Sequence, residues 1–68
     1  MTGQEIKDRL KQKNLSMAEI ARRCDVSQTA VQLFVDGKST SRRIEKSIAR
    51  ALGLKLDEFR TARMTAQN

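Results

Sequence analysis

From Met17 to Asp36 the apolar side chains fall at Ile20, Ala21, Cys24, Val26, Val31 and Phe34, a spacing that describes two short helices crossing at a tight turn. Ser16 with Glu19 three positions on is a capping-box signature for the first of these helices, and Ser27 is a natural N-cap for the second. Only Cys24, Asp25 and Val26 separate them. At ~100° per residue, Met17, Ile20, Ala21 and Cys24 share one face of the first helix, and Ala30, Val31 and Phe34 share one face of the second. The opposite arc of the second helix runs from Gln28 through Gln32, Asp36 and Thr29 to Leu33 and is left facing outward. Gln, Gln and Thr on one exposed helical face match the donors and acceptors on base edges.

The remaining chain supplies three more helices. Gly3 to Lys13 is predicted helical, with Thr2 and Glu5 in capping-box spacing and Ile6 and Leu10 facing inward. Asn14 and Leu15 make the corner before Met17. Gly37 releases the chain into a polar, basic loop, Lys38 to Ser41. A fourth helix over Arg42 to Leu52 buries Ile44, Ile48, Ala51 and Leu52 and stops at Gly53. The last, over Leu56 to Arg63, presents Leu56 and Phe59, and residues 64–68 are expected to fray. The expected fold is therefore all-α with five helices, one domain over residues 1–63, and the helix pair at about 17–36.

The segments LSMAEIARRCDVSQTAVQLFVDGKST and IEKSIARALGL resemble the helix-turn-helix layout of lambda-repressor/Cro-like regulators from Leu15 to Leu54. Ala21 matches the small residue that lets the two helices approach, and Gly37 matches the glycine ending the recognition helix. Ile48, Ala49, Ala51, Leu52 and Gly53 match the packing helix behind them. The chain departs from the family pattern at Asp25, where a glycine is usual in the turn, and at Met17, where many members place a DNA-contacting glutamine. Asp tolerates the left-handed conformation at some cost, so a slightly strained turn is expected.

The resemblance implies double-stranded DNA as the partner, read by the face of the third helix. Base contacts are expected from Gln28, Thr29, Gln32 and Leu33. A glutamine amide pairs with adenine N7 and N6, and an exposed leucine meets a thymine methyl. Asp36 reads as a solvated acid at the helix end. Backbone contacts are expected from Ser27, Lys38, Ser39, Ser41, Arg42 and Arg43, with Thr40 adding a hydroxyl and Arg43 matching, by alignment, an arginine that enters the minor groove in some relatives. Lys7, Lys11, Lys13, Arg22 and Arg23 read as ordinary surface charge. Family members commonly pair through the region after the fourth helix, so a homodimer through Leu54, Leu56 and Phe59 is expected, with the two recognition helices about 34 Å apart. The Ner-like phage regulators are nearest in layout, and autorepression is the typical use of so small a domain.

Composition agrees independently. Sixty-eight residues leave a stability of only a few kcal/mol. Fourteen Lys plus Arg against eight Asp plus Glu give a net charge of +6, which calls for an anionic partner. Two Phe with no Trp or Tyr provide neither a stacking platform for single strands nor walls for a cofactor pocket, so no cofactor and no small-molecule ligand are expected. With one Cys and no His there is no multi-ligand Cys/His metal site and no internal disulfide, and Cys24 reads as a small buried hydrophobe. No histidine base exists and Asp57 and Glu58 diverge around a helix, so an enzyme is not expected. No apolar run approaches the ~20 residues of a spanning helix and no leader opens the chain, which reads as cytoplasmic, at the nucleoid or in a phage-infected cell. Two alternatives stand beside this reading. An antitoxin of the same fold would need a toxin-binding extension, for which only the segment after Phe59 is available. A membrane-surface peptide would need a wider apolar stripe than Ile6 and Leu10.

Overall fold

The computed structural model describes residues 1–66, with side chains described through Arg63. It contains α1 (Gly3–Gln12), α2 (Met17–Cys24), α3 (Gln28–Val35), α4 (Arg42–Ala51) and α5 (Leu56–Ala66). The first four begin on a hydroxyl residue. Thr2, Ser16, Ser27 and Ser41 accept from the backbone N–H of Glu5, Glu19, Ala30 and Ile44 at 3.2, 3.1, 3.1 and 3.4 Å, satisfying donors that the helix itself cannot pair. At the start of α5 the pairing is reversed in sequence, with the Lys55 N–H donating to Glu58 Oε1 at 3.1 Å.

The same four helices end alike. A residue at positive φ follows each, namely Asn14 (59°), Asp25 (56°), Gly37 (77°) and Gly53 (74°). The next N–H then reaches back to a carbonyl of the last helical turn: Leu15 to Leu10, Val26 to Ala21, Lys38 to Leu33 and Leu54 to Ala49, at 2.9 to 3.0 Å. Asp25 thus sits in the left-handed turn at φ 56°, ψ 47°. A Cβ there costs energy that glycine does not. Asp25→Gly is expected to raise stability by roughly 0.5–1 kcal/mol after allowing for the greater freedom of glycine in the unfolded chain, about 2–8 °C in Tm. A thermal melt followed by circular dichroism checks it, and a lower Tm would sink the idea.

Every helix contributes to one apolar core. Ile6 and Leu10 come from α1, Ile20, Ala21 and Cys24 from α2, Val31, Phe34 and Val35 from α3, and Ile44, Ile48 and Ala49 from α4, with Leu52 and Phe59 closing it. No polar or charged residue is buried among the described residues. Ala21, expected at the crossing of α2 and α3, is buried. Val35 is buried as well because the start of α1 lies against it. A Cβ added to Gly3 would stand 2.8 Å from the Val35 carbonyl oxygen, so glycine is needed for that approach.

Three boundaries differ from those expected. Helices α1 and α4 each end one residue early, at Gln12 and Ala51, within the spread of helix-end assignment. Helix α5 continues past Arg63 to Ala66, because nothing in Thr61–Ala66 breaks a helix and Arg63 fastens it to the core. The guanidinium of Arg63 lies 4.2 Å over the Phe34 ring and 5.7 Å from that of Phe59, and donates to the Phe34 carbonyl at 3.2 Å. Residues 67 and 68, on which part of the expected fraying falls, lie outside the described residues.

Candidate nucleic-acid interface

The recognition helix presents a compact outward face. Ser27, Gln28 and Thr29 are exposed at the start of α3, and Leu33, one turn on, is the exposed large hydrophobe at 40 %. Gln28 and Thr29 make no side-chain hydrogen bond to any described residue, so their donors and acceptors are available to a ligand. The Ser27 hydroxyl accepts the Ala30 N–H and keeps its own proton to donate.

Gln32 is placed differently from Gln28. It is half-buried, and its Nε2 donates to both carboxylate oxygens of Asp36 at 2.9 Å. Lys7 of α1 stands 3.9 Å from the same carboxylate. The chain Lys7, Asp36, Gln32 therefore ties α1 to the end of α3. Asp36 is exposed but engaged, not simply solvated as its position at the helix end implied. Gln32 also borders a hollow with Lys7, Lys11 and the apolar side chains of Leu10, Leu15 and Met17. A wheel drawn on α3 alone places Gln32 outward; the neighbouring α1 covers part of that arc.

The loop after α3 carries Lys38, Ser39 and Thr40, all exposed, and Arg42 opens α4 beside them. Ser41 is half-buried as the cap of α4, and like Ser27 it retains a hydroxyl proton. Arg43 is only partly free. Its Nη1 donates to the Cys24 carbonyl at 3.2 Å, while the buried Cys24 thiol donates to the Arg43 carbonyl at 3.7 Å. This reciprocal pair joins the end of α2 to α4. An arginine so held reaches a minor groove only by giving up that bond.

The residues expected to form a dimer surface separate. Phe59 is 0 % exposed and belongs to the apolar core, so it is not available to a partner. That expectation is corrected: in a chain this small the last helix must supply a large side chain to close its own core. Leu54 and Leu56 are half-buried against the same core and keep an outward portion.

A family model described as helix-turn-helix matches residues 6–59, from the first core side chain of α1 to the last of α5. The chain belongs to that family. It is a helix-turn-helix protein of the lambda-repressor/Cro-like kind, and so a DNA-binding transcriptional regulator. No curated protein and no solved structure gives a significant match to it. No helix among the described residues is long and apolar enough to cross a membrane. This helix-turn-helix protein has further cations that the sequence reading passed over: Lys46 and Arg50 on α4 and Lys55 after it, all exposed. Their signal was present, since Arg43, Lys46 and Arg50 recur at helical spacing, but such a face reads equally as a solvated one.

Proposed function

We propose that the protein is a repressor, in the simplest case of its own operon, that binds a palindromic operator in duplex DNA by laying α3 in the major groove. The carrying observation is the outward face of α3, where Gln28 and Thr29 have unused hydrogen-bonding groups beside the exposed Leu33. Such a set reads an adenine edge and a neighbouring thymine methyl. Lys38, Ser39, Ser41, Arg42 and the proton of Ser27 hold the flanking phosphates and fix the register. Repression requires only that tight binding obstruct polymerase. The protein acts as a homodimer in the cytoplasm, with two copies of α3 about one helical turn apart, and with Phe59 internal the pairing falls to Leu54 and Leu56.

Gln28 and Gln32 are expected to contribute unequally, because the amide of Gln32 is already satisfied by Asp36. Fluorescence anisotropy with duplex from the protein's own upstream region and with scrambled duplex tests this. Gln28→Ala is expected to lower the preference for the specific duplex by about 1–3 kcal/mol, roughly five- to 150-fold, and Gln32→Ala by less. Equal binding of both duplexes by the unaltered protein would remove base readout through α3 altogether.

A further inference from the structure

Along the outer side of α4, Arg43, Lys46 and Arg50 stand three and four residues apart, on one face and over about 10 Å of the helix axis. Arg23, near the end of α2, faces them across a hollow of about 440 Å³ that also holds the Ser47 side chain. Lys46 and Arg50 also border a second hollow together with Lys55, so the two hollows share these cations and make up a basic trough beside α4. No acidic residue lines either. Arg43, Lys46, Arg50 and Lys55 form no ion pair with a described acid, whereas Glu19 is taken by Arg22 and Arg23, Asp36 by Lys7 and Glu45 by Arg60. A line of uncompensated cations in a concave surface repels itself and concentrates anions.

We propose that this trough between α2 and α4 is a second backbone-binding surface, along which a sugar-phosphate strand of duplex DNA continues beyond the Lys38–Arg42 loop. The assignment rests on the DNA-binding reading and extends its footprint. Because α4 starts directly after the loop that follows the recognition helix, Lys38 in the loop is followed by Arg42, Arg43, Lys46 and Arg50 along α4. A strand with one charge per ~3.4 Å of helix axis offers several phosphates over that length. The Cys24 carbonyl fixes the guanidinium of Arg43 at the mouth of the trough and leaves its other N–H groups to donate. An acidic protein would need an apolar anchor, and from Arg23 to Arg50 the lining includes no large apolar side chain; Leu54 and Leu56 line only the Lys55 end. Phosphates seated here would also neutralise Lys46, Arg50 and Lys55, which rim the outward portions of Leu54 and Leu56 and oppose pairing of two free copies.

The test is a salt series of anisotropy titrations with the full chain, using its own upstream duplex and a scrambled one. Lys46→Gln with Arg50→Gln is compared with Arg9→Gln and Lys13→Gln, which remove the same charge at the end of α1. All four positions are exposed, and matching thermal melts verify that the variants fold. The trough pair is expected to flatten the slope of log K against log salt by about 2, with the same loss on both duplexes, while the α1 pair changes it by less than about 0.5. Equal effects of the two pairs would reduce the trough to bulk charge and overturn it. An unchanged slope in the trough pair overturns it too, since these cations would then neutralise no phosphate. Failure of the unaltered chain to bind any duplex would instead defeat the DNA reading itself, and this proposal with it.

Discussion

Phe59→Ala is expected to leave the protein largely unfolded at ambient temperature. The ring is fully buried, and Arg63 bridges it to Phe34, so one truncation opens a cavity at the junction of α3, α4 and α5 and loosens the residue that fastens α5. Removing a buried phenyl ring typically costs about 3–5 kcal/mol. A domain of this size holds only a few kcal/mol in total, so the loss is comparable with its whole stability. Urea unfolding followed by circular dichroism measures it. Leu54→Ala, at a half-buried position, is the natural comparison and should cost distinctly less. A Phe59→Ala variant that melts within a few degrees of the parent would show that α5 is an appendage and reopen its outer surface to a dimer.

The second large effect is on binding. Raising monovalent salt from ~50 to ~200 mM is expected to weaken duplex binding roughly a thousandfold, the consequence of about six neutralised phosphates and a slope near −5. Lys38 in the loop after α3 and Arg42, Arg43, Lys46 and Arg50 along α4, all exposed, provide most of that number, and the serine caps and helix N-termini add uncharged donors that do not change the slope. Anisotropy at three or four salt concentrations suffices to measure it. A loss below about thirtyfold would mean that no more than two or three phosphates are engaged, too few for a footprint of this extent.

The ends of the helices were legible in the chain because they are local chemistry: a hydroxyl residue three positions before a backbone donor, or a residue that tolerates positive φ. Asp25 takes the strained position expected of it. What one helix cannot report is what its neighbours do. Gln32 lies on the outward arc of α3 by period alone, yet Lys7 reaches Asp36 from α1 and draws the amide into a chain of contacts. Phe59 is ambiguous in sequence for the same reason, since a lone aromatic on a short last helix fits its own core and a partner's surface equally well. Only the volume left open by α3 and α4 decides between them. The cations of α4 do not stand out in the sequence because helical spacing cannot tell a solvated face from a hollow that Arg23 also lines.

The repeated manner of ending each helix has a kinetic consequence. Each connection among the first four helices is closed by hydrogen bonds within its own turn, and the chain contains no proline, so folding waits on neither a distant strand pairing nor an isomerisation. Helical domains built from such local contacts fold in microseconds to milliseconds. Each newly synthesised chain therefore folds almost at once, and the supply of folded regulator follows its rate of synthesis with no folding lag.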